Sequence, residues 1–122
     1  MVEYEKGPDP RDGVLGKKRD VVNIGRKCVG SFYPTYVIAE IGLNHEGSVN
    51  IAKQLIDVAS ECGVDAVKFQ KRTLKDIYTA EVLEDPNTHE EGFRYLIPIL
   101  TQCELSRDDL KELKVYAERK DL

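Results

Sequence analysis

Short apolar runs broken by glycine open the patterned part of the chain. Val21, Val22 and Ile24 precede Gly25, and Cys28 and Val29 precede Gly30, a spacing that predicts a small hairpin ahead of the main fold. Such a hairpin is expected to plug one end of a barrel. Tyr36 to Gly42 (Tyr-Val-Ile-Ala-Glu-Ile-Gly) is then apolar on both faces save for one carboxylate, the pattern of a strand in a parallel sheet covered on both sides. A turn over Gly42 to Gly47 ends it. Ser48 caps a helix whose Ile51, Ala52, Leu55, Ile56, Ala59 and Cys62 share one stripe, and Gly63 closes it where a left-handed residue is needed. A second strand over Val64 to Gln70 completes a strand-helix-strand stretch of about 35 residues, the length of a right-handed βαβ unit, so the core is α/β.

Residues 71–92 are polar and irregular and include Asp85-Pro86-Asn87, which predicts a loop longer than usual connections, of the kind that more often forms a functional lid than filler. Phe93, Leu96, Ile97 and Leu100 give a helical stripe in which Pro98 removes one donor and is expected to kink or interrupt the helix. Ser106 with Asp109 resembles a capping box that opens a last helix, with Leu110, Leu113 and Ala117 turned inward. Residues 1–21, with Gly7, Pro8, Pro10, Gly13 and Gly16 among charges, hold no period and read as a flexible lead-in to a folded part over 22–122.

Composition narrows the function classes. A chain of 122 residues, 41% of them hydrophobic, can bury one modest core. The net charge is -4, and the seven Lys/Arg in residues 1–27 are opposed by five Asp/Glu, so no basic stripe recruits nucleic acid. No stretch reaches the roughly 18 apolar residues of a membrane span, and no apolar region comes after the N-terminal charges as in a signal peptide; a cytoplasmic protein is expected. Cys28, Cys62 and Cys103 are widely spaced, without a C-x-x-C pair, and read as reduced structural thiols.

Strand alternation places Glu40 on one face with Ile38 and Gly42, and Lys68 with Gln70 on one face of the second strand. Two neighbouring parallel strands thus bring Glu, Lys and Gln to their carboxyl ends, where α/β sheets and barrels hold ligands. Lys68 can hold a phosphate or carboxylate, Glu40 can move a proton, and Gln70 can read a hydroxyl. The competing reading is a buried Glu40–Lys68 salt bridge that does no more than set strand register. His45, in a turn before a helix, reads as a capping or solvent-facing side chain, and with the distant His89 it lacks metal-ligand spacing.

The segment Ile38-Ala39-Glu40-Ile41-Gly42-Leu43-Asn44-His45-Glu46-Gly47-Ser48, and after it Ala66-Val67-Lys68-Phe69-Gln70, resembles the sialic acid (N-acetylneuraminate) synthase family, and the likeness covers residues 22–122. The resemblance implies a TIM (β/α)8 barrel, here its first two βα units after the hairpin, and a C-terminal antifreeze-like domain that lies outside this chain. It implies a homodimer and a divalent metal, Mn2+ or Mg2+, whose ligands come from later strands. It makes Glu40 the catalytic acid/base, Lys68 a phosphoenolpyruvate contact, and Gln70 and, by a weaker match, Asn87 acceptor-sugar contacts. The implied reaction joins the methylene carbon of phosphoenolpyruvate to the aldehyde of an N-acetylated sugar such as N-acetylmannosamine, with loss of phosphate. Because a whole barrel takes about 250 residues, the chain alone is expected to be inactive. The alternatives are another phosphoenolpyruvate-dependent 3-deoxy-sugar acid synthase, an aldolase barrel, or a non-catalytic module whose open sheet edge is completed by a partner or another copy.

Overall fold

The computed structural model describes residues 21–31, 33–88 and 91–122. The lead-in expected over residues 1–21, except its last residue, and His89 lie outside them. The chain divides into two units, Met1–Tyr36 and Val37–Leu122.

In the first unit the predicted hairpin is present. Strands β1 (Val22–Ile24) and β2 (Lys27–Val29) pair antiparallel, Val22 opposite Val29 and Ile24 opposite Lys27. Gly25, at φ +58°, supplies the positive angle that a two-residue hairpin turn demands.

The second unit begins with β3 (Ile38–Gly42), α1 (Val49–Glu61) and β4 (Ala66–Phe69), and the two strands pair in parallel, Ile38 opposite Ala66 and Glu40 opposite Lys68. This is the βαβ unit read from the sequence. The helix starts where Ser48 predicts it, the Ser48 hydroxyl accepting from the Ile51 amide at 3.3 Å, and Gly63 lies just past its end at φ +71°. The register shifts between Glu40 and Gly42, so that Gly42 lies opposite Phe69. A bulge of this kind adds a residue to one strand and re-aims the side chains beyond it.

Helix α5 (Arg107–Glu118) opens with the predicted capping box: Asp109 donates its amide to the Ser106 hydroxyl at 3.0 Å, and its carboxylate accepts from the Ser106 amide at 2.9 Å. Ile41 of β3, Ala52 and Ile56 of α1, Leu113 and Ala117 of α5, and Leu105 before α5 form one buried cluster, with Val67 and Phe69 of β4 packed against it. Polar bonds join the two helices at the rim, from Lys53 to Glu112 at 2.6 Å and from Tyr116 and Lys120 to Asp57 at 2.9 and 2.8 Å.

Three expectations need correction. The sheet is covered on one face rather than two: Ile41 is 5% exposed, whereas Ile38, on the opposite face with Glu40, is 53% exposed. Apolar runs on both strand faces therefore mark a sheet with a second apolar surface that α1 and α5 do not cover. The long loop over residues 71–92 is also partly helical, containing α2 (Leu74–Ile77), α3 (Ala80–Glu84) and a 3₁₀ turn at Pro86–Thr88. Each is too short to leave a sustained period in the sequence; burial of Leu74 and Val82 anchors them. Pro98 does not break its helix, since α4 runs unbroken over Phe93–Gln102 and buries Ile97 and Leu100.

Candidate active site

Three predicted residues meet at the carboxyl ends of β3 and β4. Glu40 and Lys68 occupy facing positions of the parallel pair, and the Lys68 ammonium donates to the Glu40 carboxylate. Gln70 comes directly after, its amide donating to the Gly42 carbonyl at 3.3 Å. Gly42 sits between the side chains: a Cβ built on it would lie 3.4 Å from Glu40 Oε1 and 3.8 Å from Gln70 Nε2. Its φ of +58° belongs to the left-handed region, which a glycine enters without strain. The bulge and this glycine together leave the Glu40 carboxylate and the Gln70 amide side by side over open backbone.

The buried salt bridge considered as the alternative is not what forms. The pair exists, but the Lys68 and Glu40 side chains are 59% and 46% exposed, because they project from the uncovered face of the sheet. Exposed pairs contribute about 0–1 kcal/mol, too little to set strand register against the apolar packing on the other face. Cation, carboxylate and amide are therefore presented to solvent together, free to exchange one another for a ligand.

Asn87 is not brought into this group by its bonds. It lies exposed in the 3₁₀ turn, and both its backbone amide and its side-chain amide donate to Asp85 Oδ1, at 3.1 and 3.2 Å.

Sequence reasoning missed two residues. Arg72 donates to Gln70 Oε1 at 3.4 Å, turning the Gln70 Nε2 donors away from itself. The signal was present, since Lys68, Gln70 and Arg72 continue the alternation of β4 by two. His45 is the other. It was expected as a capping or solvent-facing side chain, yet it is fully buried, with its ring 5.9 Å from Phe69 and tilted by 43°. Its Nδ1 accepts from the Gly47 amide at 3.1 Å. Burial pushes its pKa below the ordinary 6.5, against a smaller upward pull from the Gly42 backbone.

Among the described residues no group of three or more His, Cys, Asp or Glu side chains is placed to hold a metal ion. At the strand edge the one carboxylate of the group, Glu40, is already paired with an ammonium, so these residues do not fit a metal centre by themselves.

A parallel βαβ unit with charge and amide groups at its strand ends places the chain among α/β proteins. The chain belongs to the NeuB family, whose model matches residues 55–122. It is 42% identical over 94 residues to the N-acetylneuraminate-9-phosphate synthase of Mus musculus, an alignment covering 75% of this chain and 26% of that protein. It is 42% identical over 90 residues to the N,N'-diacetyllegionaminic acid synthase of Campylobacter jejuni, covering 70% and 26%. The solved N-acetylneuraminic acid synthetase of Leptospira borgpetersenii superposes with a TM-score of 0.63 at 25% identity, over 85% of this chain and 32% of that one. The chain thus spans about a quarter of the length of the curated relatives it matches.

Proposed function

We propose that this chain is the N-terminal part of a phosphoenolpyruvate-dependent synthase that condenses phosphoenolpyruvate with an N-acetylated aldose, N-acetylmannosamine or a related sugar, to give a sialic acid-type nonulosonate and phosphate. The observation that carries the reading is the Glu40–Lys68 pair in register at the strand ends, with Gln70 beside it, in a chain of this family. The open sheet face bearing Ile38, Glu40 and Lys68 has the character of a barrel interior, and these strands are taken as the first two of a (β/α)8 barrel.

In this reading Lys68 offsets the negative charge of phosphoenolpyruvate, exchanging the Glu40 carboxylate for the substrate's anionic oxygens. Glu40, released from that pairing, accepts or returns the proton that moves when water adds to the carbon from which phosphate departs. Gln70, its carbonyl oxygen held by Arg72, offers its Nε2 donors to a sugar hydroxyl. Asn87 makes a second sugar contact if the 3₁₀ turn closes over the edge and its amide leaves Asp85. A divalent cation, Mn2+ or Mg2+, would supply Lewis-acid chemistry at the aldehyde from ligands outside this chain. The whole enzyme is taken to be a homodimer, and the 122-residue chain alone to be inactive.

The test is phosphate release from phosphoenolpyruvate with Mn2+ and N-acetylmannosamine, by this chain and by the polypeptide extended through the downstream reading frame. Activity in the longer polypeptide alone is the expected result. Activity in neither, across neuraminic- and legionaminic-type acceptors, would overturn the assignment.

A further inference from the structure

The molecule buries one polar side chain among the described residues, and the proposed reaction makes no use of it. His45 is 0% exposed. It lies in the turn that joins β3, which carries Glu40, to α1, and its ring rests against Phe69, the residue between Lys68 and Gln70. The turn is fastened at one end by the Gln70 amide on the Gly42 carbonyl and at the other by the Gly47 amide on His45 Nδ1. It is also a costly turn to hold. Glu46 is a non-glycine residue at φ +53°, and Gly47, at φ +79°, passes so close to the Gln102 carbonyl that a Cβ there would overlap it. Backbone in such conformations persists where its surroundings over-determine it.

A residue that merely filled this space would need no nitrogen. His45 instead accepts at Nδ1 from the Gly47 amide, which puts the neutral ring's proton on Nε2; Nε2 meets no partner at hydrogen-bond distance among the described residues, and the Gly42 backbone gives only a smaller pull toward the protonated ring. Leaving a buried donor unpaired is unfavourable, and the Nδ1 bond to the turn is what the site gains in exchange.

We propose that His45 is a positioning residue for the Glu40–Lys68–Gln70 edge: as the neutral Nε2–H tautomer, its Nδ1 lone pair holds the Gly47 amide and thereby fixes the turn that ends the Glu40 strand. Its part in activity rests on the reading of that edge as a synthase site; its tautomer and its hold on the turn do not.

The test uses the full-length protein that carries this chain, labelled with 15N-histidine. The imidazole signals that vanish in His45→Asn belong to His45, and near neutral pH they are expected to show an unprotonated Nδ1 and a protonated Nε2. An Nδ1–H tautomer or a charged ring overturns the proposal, whatever the activity. Two substitutions then separate acceptor from ring. In His45→Asn the side-chain oxygen reaches the amide two residues on, as in an Asx turn, whereas His45→Phe keeps the ring against Phe69 and loses the acceptor. Phosphate-release kinetics should show His45→Phe lowered in kcat by about tenfold or more with the Michaelis constant for phosphoenolpyruvate little changed, because the turn belongs to the Glu40 strand. His45→Asn should recover kcat to within about threefold of the parent. Equal kinetics in the two variants overturn the proposal. If the parent itself releases no phosphate, the synthase reading fails separately, and the Gly47 amide shift decides: it should move in His45→Phe and stay near its parent position in His45→Asn.

Discussion

Glu40 and Lys68 face each other across a parallel pair, and their substitutions should act on different kinetic constants. On the proposed synthase reading, tested in the polypeptide extended through the downstream reading frame, Glu40→Gln removes the proton acceptor and keeps the shape, so turnover is expected to vanish while phosphoenolpyruvate affinity is spared. Near-normal turnover would remove Glu40 from the chemistry. Lys68→Ala should raise the Michaelis constant for phosphoenolpyruvate strongly, and an unchanged constant would leave the pair as a surface ion pair of small worth. Gly47 tests the turn itself. Gly47→Ala adds a Cβ against the Gln102 backbone in a left-handed conformation, and thermal unfolding should show a loss above the roughly 1–2 kcal/mol that the backbone angle alone costs. The placement of Glu40, Lys68 and Gln70 at neighbouring strand ends was legible because strand alternation is a rule of local geometry. His45 was not, since a histidine in a turn reads the same whether it faces solvent or a core.

At the scale of the element, boundaries tracked local chemistry closely. Ser48, Gly63, and Ser106 with Asp109 mark helix ends because their side chains, or the lack of one, satisfy backbone groups within a few residues of themselves. Helix α5 has the clearest cap, and Ser106→Ala should destabilise the protein by about 0.5–2 kcal/mol, measured by urea unfolding. A change below that range would mean that packing of Leu113 and Ala117 alone holds the helix start. The short helices between β4 and α4 escaped detection for the opposite reason. Four or five residues cannot establish a period, although Leu74 and Val82 are buried.

For the whole molecule, the pH dependence of stability has three sources: the Asp57–Lys120 pair, buried His45, and Asp109, whose carboxyl the Ser106 hydrogen bonds hold below 3.8 so that its contribution is full above 3.8 and lost as pH falls. Asp57 has its carboxyl pulled below the ordinary 3.8 by hydrogen bonds from Lys120 and then Tyr116, and Lys120 is raised above 10.5 by Asp57. The Asp57 contribution is therefore full above 3.8 and lost as pH falls through its lower folded value; that of Lys120 is full below 10.5 and lost as pH rises through its higher one. Buried neutral His45 adds a contribution that is complete above 6.5 and declines as pH falls, because the unfolded chain takes up a proton that the folded ring resists. Urea midpoints measured against pH should thus fall on the acid side in two stages. Asp57→Asn should reduce the lower stage to the share that Asp109 contributes and leave the upper one, and an unaltered lower stage would show that the α1–α5 rim does not contribute to acid unfolding.

The sequence alone determined the α/β order, the ends of α1 and the start of α5, and the family, and it placed three of the four candidate site residues on neighbouring strand ends. All of these depend on interactions within a strand, a cap or a continuous motif, which periodicity records. Tertiary structure decided that the sheet is covered on one face, so that Glu40 and Lys68 pair in the open, that Asn87 spends its donors on Asp85, and that His45 is buried beneath the Glu40 turn. The one-sided cover and the burial of His45 depend on which surface residues far apart in the chain come to cover, whereas the Asn87–Asp85 bonds span two residues and needed only the 3₁₀ turn to form. A side chain's own neighbours in sequence carry no record of that choice.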